Sequence, residues 1–340
     1  MTKSFLFGRP FALTAGTAAV ALLSACGGGG DNSFGLSLEN AQGYAADGAT
    51  MPVAAATGVD SATQTLESSL ATAAAAAAGR EQAQGASVSP DATASVSVAC
   101  PNGGTIAWTV TGTDATLLGN GRLAAGETYN VTYTACGTAD ADSSVLDGQV
   151  QITVATRTAT DLDATHSTTN LKLTTATGAT YTLNGSTRVQ RNEVTTTGGG
   201  RQVTRHITSP GISLASHVPL TGGGSRDASY QLDSYDWTVV RTYNAAGSLV
   251  SRSHSGHLVA EAHTPRRPDA SLEITTEGTL TLDGSDGASA SGSFTVVTSR
   301  NTIACTYGGG MATLTLDIGN DGTIDRTWRL TRTDFIGEAG

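Results

Sequence analysis

The sequence predicts an all-β fold: an extended antiparallel meander, either a curved sheet or a thin sandwich, after a low-complexity tether with one short helix. Three observations predict it. From about residue 93, Thr, Val and Ser alternate with apolar residues between Gly/Asn/Asp turns, the period-two texture of strands. No helical segment separates those strands, so parallel pairing has no crossover to use. Aromatic residues make up 5% of the chain, and Phe5, Phe7, Phe11 and Phe34 all precede the β region. So few large side chains cannot fill a thick core, and a sheet with one polar face follows.

The first 25 residues have the three parts of an export signal. Lys3 and Arg9 supply positive charge, an apolar run covers 11–23, and small residues precede Cys26. The run is shorter than the roughly 20 apolar residues needed to span a bilayer. Leu23-Ser24-Ala25-Cys26 resembles the lipobox of bacterial lipoproteins. The resemblance implies cleavage before Cys26 and acylation of its sulfur, with membrane lipid as the partner of that residue. Gly27 follows where an aspartate would favour inner-membrane retention. The resemblance therefore implies an outer-membrane anchor in a Gram-negative envelope.

Residues 26–92 are rich in Gly, Ala, Ser and Thr, too poor in bulk to repay the entropy of ordering. They read as a tether. Inside it, the alanine run at 73–78 marks a helical spacer over 61–84, whose large apolar residues are Leu66 and Leu70. The β-rich domain covers 93–336. Strands are expected at 105–111, 127–135, 145–156, 169–175, 179–184, 202–208, 230–243, 248–262, 270–276, 279–283, 292–298 and 323–331. In the last, Ile324, Arg326, Trp328 and Leu330 share one side, and Asn320-Asp321-Gly322 turns the chain into it. The runs Cys100-Pro-Asn-Gly-Gly-Thr-Ile-Ala107 and Cys305-Thr-Tyr-Gly-Gly-Gly-Met-Ala312 match in position, which suggests a duplicated hairpin at 100 and 305.

Cys100 and Cys136 each end a candidate strand within one compact region, and an oxidising compartment favours their pairing. Cys305 is then odd: a buried thiol, or the partner of Cys100 or Cys136 instead, or of a cysteine in another chain. Formal net charge is −10, and becomes about −12 once Lys3 and Arg9 leave with the leader. Such a chain repels phosphate polyanions, so no nucleic-acid partner is expected.

Catalytic signatures are absent from the sequence: there is no His-Glu-x-x-His, no Gly-x-Ser-x-Gly and no Ser-x-x-Lys. The chain reads as a non-enzyme without a cofactor. Three weaker patterns remain. Asp317, Asp321 and Asp325 have part of a calcium-loop spacing, but Gly319 and Trp328 stand where further ligands belong; a hairpin turn explains them equally. His254, His257 and His263 offer too few converging ligands for a metal. Tyr235, Trp237 and Tyr243 are either the main core or a stacking surface for an apolar or saccharide ligand. The functional expectation is a lipid-anchored envelope protein with a structural or adhesive role and an envelope or surface partner. The alternative is a periplasmic module holding a ligand on a curved sheet against those three rings.

Overall fold

Alternation of buried and exposed residues runs through nearly every strand of the computed structural model, which describes residues 38–81, 94–112, 121–138, 144–219, 224–265, 267–281 and 291–331. The leader and Cys26 lie outside the described residues. The strands are β1 (Ala94–Ala99), β2 (Thr105–Thr111), β3 (Thr128–Gly137), β4 (Val145–Arg157), β5 (Asp161–Thr174), β6 (Thr180–Thr195) and β7 (Arg201–Pro219). They continue as β8 (Ser225–Tyr243), β9 (Leu249–Thr264), β10 (Arg267–Thr281), β11 (Ser291–Val297), β12 (Asn301–Gly308), β13 (Met311–Ile318) and β14 (Arg326–Thr331). All fourteen form one antiparallel sheet in chain order, open at β1 and β14. The meander is as expected; the sandwich alternative is not adopted.

What covers the inner face is a helix, α1 (Leu38–Glu81), 44 residues long. Here the structure corrects the tether reading. Of the expected spacer over 61–84, residues 61–81 are the second half of a longer helix, and that helix is packed against the sheet; 82–84 lie outside the described residues. Gly43 to Gly48 are buried without a break, as are Gly58 to Thr63. Six consecutive residues span more than a full turn, so α1 is enclosed on all sides there and the sheet must curl around it. Ala41 to Val59 join one hydrophobic cluster with residues of β6–β13. Ala62 to Ala73 join a second with β1–β5.

The small residues that suggested a tether make this enclosure feasible. A Cβ on Gly58 would press 2.8 Å from Leu183 Cδ1, and one on Gly48 would stand 2.7 Å from Val296 Cγ2. In an isolated helix each glycine costs about 1 kcal/mol relative to alanine and an internal proline such as Pro52 about 3. Packing against the sheet outweighs those costs. Tyrosines pin the backbone: Tyr235 Oη donates to the carbonyl of Pro52 at 2.8 Å, and Tyr133 Oη to that of Ala62 at 2.7 Å.

A line of irregularities crosses eight successive strands, β3 to β10, and bends the sheet. Ala135, Asn170 and Ser234 have positive φ values of 45°, 49° and 51°. Register shifts occur at Tyr133/Cys136, Asp147/Gln149, Thr168/Leu171, Ser186/Arg188, Asp233/Asp236 and Thr275/Leu280. In β8 the buried set changes from Tyr230 and Leu232 to Tyr235, Trp237 and Val239 across Ser234. Gly148 sits on this crease at φ 110°, where a Cβ would collide with the carbonyl oxygen of Asn170. Gly148→Ala should therefore lose about 1–3 kcal/mol for the backbone conformation alone, with the collision adding to it. A urea-denaturation midpoint equal to that of the parent would refute this.

Cys100 and Cys136 form the expected disulfide, and Cys305 is free and buried. Both Cys-Gly-Gly runs are hairpin connections, but their turns differ by one position: Gly103 and Gly104 have positive φ in the first, Gly309 and Gly310 in the second. Near the C-terminus, β14 starts at Arg326. Ile324 precedes it and is 60% exposed, rather than sharing an inner side with Trp328 and Leu330.

Candidate functional site

Charge is divided between the two faces of the sheet. On the inner face, arginines meet three carboxylates of α1. Asp60 is buried between Arg205 Nε and Arg241 Nη2, each at 2.7 Å, and Gln64 donates to it at 3.1 Å. Burial alone would raise the Asp60 pKa, but Arg205 and Arg241 hold it below the usual carboxylate range. Glu67 takes two hydrogen bonds from Arg191, at 2.6 and 3.1 Å, with Arg157 at 3.6 Å. Asp47 pairs with Arg267 at 2.7 Å, and the same guanidinium lies 4.9 Å from the centre of the Tyr44 ring. Asp60 and Glu67, seven residues apart, share a helix face; their partners come from β4, β6, β7 and β8.

Two histidines are buried beside these clamps. His166 Nε2 lies 2.9 Å from Thr63 Oγ1 on α1, and burial pushes its pKa down to about 4. Trp237 Nε1 donates to His254 Nδ1 at 3.4 Å. Burial, then the charges of Arg252 and Arg241, lower the His254 pKa to about 3. Both values lie below the ordinary 6.5, so between those values and pH 6.5 the unfolded chain binds more protons than the folded one. Stability is then complete above pH 6.5 and falls with acidification, at about 1.4 kcal/mol per pH unit for each histidine. The lowered Asp60 pKa acts in the same direction at more acid pH. The expected loss between pH 7 and pH 5 is on the order of 4 kcal/mol, read from urea midpoints across that range. A flat profile would show that neither histidine is held neutral.

The ligand reading of Tyr235, Trp237 and Tyr243 is corrected by these positions. Tyr235 and Trp237 are 1% and 2% exposed. They point at α1, which occupies the face where a ligand would have stacked. Tyr243 is half-buried at the end of β8, 4.4 Å beneath Arg201. In the calcium-like loop, the carboxylates cap the loop's own backbone. Asp317 accepts from the amides of Asp321 and Gly322, Asp321 from Thr323, and Asp325 from Ile318. Among the described residues no three His, Cys, Asp or Glu side chains gather as metal ligands. His257 and His263 face outward against Glu273 and Asp269, opposite in sense to His254.

The outer face carries the polar arrangement that sequence reading missed. Asp161 accepts from Thr158, Thr160 and Asn192 at 2.7–2.9 Å, and these bonds, Asn192 foremost, lower its pKa. Asp163 takes a two-pronged contact from Arg188, at 2.9 and 2.6 Å, which lowers its pKa. His206 lies 3.4 Å from Gln190 Oε1 and 2.7 Å from Asp236 Oδ1. Two shallow depressions flank this row. One of about 510 Å³ is lined by Thr165, Ser186, Arg188, Thr208, Asp236 and His257 among others. The second, about 380 Å³, is lined by residues that include Asp161, Asp163, Asn192 and His206. These positions are far apart in sequence, and only the strand register brings them into line.

Fold and surface together define a class: an open antiparallel meander wound around a helix that precedes it in the chain, with buried arginine–carboxylate clamps inside and a row of hydrogen-bonded polar side chains outside. Compared with protein-family models and with curated protein sequences, the chain matches none.

Proposed function

We propose that this chain is a non-enzymatic, lipid-anchored envelope protein whose β domain has an adhesive or structural role, with acylated Cys26 as the attachment to the outer membrane. The observation that carries this reading is the filled inner face. With α1 enclosed by the sheet, the concave side that a small-molecule carrier would use holds the protein's own side chains. Contact with a partner is left to the outer face, whose strands present Thr, Ser, Asn, Gln, Asp and His to solvent. The hydroxyl of Ser209, in the larger depression, donates to the carbonyl of Ser186 at 2.5 Å. Its proton is thus engaged with backbone rather than with a neighbouring imidazole, which suits a non-catalytic surface. The alternative, a periplasmic module holding a ligand against Tyr235, Trp237 and Tyr243, has less support, because the rings of Tyr235 and Trp237 are buried against α1.

Protease shaving of intact cells, followed with an antibody to the C-terminal half, tests the reading. Loss of signal without lysis is expected. Protection until lysis would place the domain inside the envelope and overturn the adhesive role. Cys26→Ser should release the protein from the membrane fraction, and retention there would remove the lipid anchor.

A further inference from the structure

We propose that the outer face of β5 to β9 is a binding site for a neutral polysaccharide; this deepens the adhesive reading and rests on it. The site is a row of hydrogen-bonding groups laid across the strands. Asp163 and Gln190 are directly paired between β5 and β6, and Gln190 and His206 between β6 and β7. His206 reaches Asp236 on β8, and Asp236 pairs with His257 on β9. Neighbouring strands are about 4.8 Å apart, so the row runs for about 20 Å. That length suits several units of an extended polymer better than one small molecule.

The groups are held before a ligand arrives. Arg188 grips Asp163 from two sides, Asn192 and two threonines fix Asp161, and Gln190 and Asp236 hold the two nitrogens of His206. Side chains already oriented lose less entropy on binding. Carboxylates, a carboxamide, imidazoles and a guanidinium at adjacent positions offer paired donors and acceptors of the kind that vicinal hydroxyls match. The larger depression adds the hydroxyls of Thr165, Ser186 and Thr208.

Charge selects among polymers. Asp161, Asp163 and Asp236 outnumber the guanidiniums of Arg188 and Arg191 in the two depressions, and Arg191 is already paired with Glu67. Phosphorylated or sulfated chains would be repelled. The row of Asp163, Gln190, His206, Asp236 and His257 has no Phe, Tyr or Trp, so binding relies on hydrogen bonds repeated along the chain, with affinity gained through multivalency.

The test is affinity electrophoresis of the full-length protein through native gels containing dextran or hydroxyethylcellulose, with heparin and poly-lysine gels in parallel. Retardation is expected in at least one neutral polymer and not in heparin. Asp163→Ala combined with His206→Ala should weaken it at least tenfold, while Thr313→Ala on β13 leaves it unchanged. Both mutated side chains of the pair are on the surface, and an unchanged thermal midpoint would show that the fold persists. No retardation by either neutral polymer would overturn the proposal, as would equal retardation of the double variant. Retardation by poly-lysine alone would also overturn it, and would make the face a polycation site. The parent reading fails separately: a domain protected in intact cells could still bind dextran, and a surface-exposed domain could fail to bind it.

Discussion

A chain lacking residues 38–81 is expected to lose its cooperative unfolding transition entirely. Without α1, the inner sides of β1–β13 lose the surface they bury, and the arginines of five strands, β4, β6, β7, β8 and β10, are left facing water across an open trough. Leu183, Phe294 and Val296 would be exposed together with Tyr235 and Trp237. A sheet with one polar and one uncovered apolar face has nothing to repay its ordering entropy. The near-ultraviolet circular dichroism of Trp108 and Trp237 reports the outcome, and dye binding should show exposed apolar surface. If the truncated chain kept its tertiary spectrum, the helix would be dispensable. A synthetic peptide covering 38–81 should restore the spectrum when added to the truncated chain.

Asp60→Ala is the point substitution with the largest expected effect. It leaves Arg205 and Arg241, both nearly inaccessible, without the carboxylate that lies 2.7 Å from each. Removing one partner from a buried ionic cluster costs about 3–5 kcal/mol, because the remaining charge stays desolvated. Glu67→Ala should cost less: its side chain is 20% exposed, and water can reach the arginines left behind. Replacing all three members, as Asp60→Leu with Arg205→Met and Arg241→Leu, should recover most of the loss, since apolar groups of similar size often replace such clusters without penalty. Urea denaturation of the three variants decides the matter. A loss under about 1 kcal/mol for Asp60→Ala would mean that the arginines find other partners or water.

The meander was legible because its signal is local. Alternation in β13 and β14, turn residues between strands and the spacing of Cys100 and Cys136 each lie within a short window. The helix was misread for a physical reason. An amphipathic helix announces itself by an apolar stripe, but α1 is buried all round over 43–48 and 58–63 and shows no stripe there. Its bulk is limited by the space inside the sheet, so it is built from Ala, Gly, Ser and Thr, the composition of a linker. Pro52, Gly43, Gly48 and Gly58 argue against a helix unless the packing is known. Nothing local in the sequence marks the acids Asp47, Asp60 and Glu67 as buried, because the arginines that meet them lie 90 to 220 residues away. For the outer row the limit was register. Non-glycine residues at positive φ, Ala135, Asn170 and Ser234, shift the phase of their strands, so which side chains align across the sheet was not readable from alternation.

Chain order also sets an order of assembly. Each strand hydrogen-bonds to the one made just before it, so the sheet can lengthen strand by strand as the polypeptide is made. The helix is the first described element to emerge and has nothing to pack against at that moment. Its opening turns wait longest, because Tyr44 and Asp47 bond to Pro268 and Arg267, 224 and 220 residues downstream. Closing such a distance is slow compared with pairing neighbouring strands. The arrival of β10 on Asp47 and of β11 on Gly48 is thus a long-range step of folding, and until then the growing sheet holds a half-seated helix.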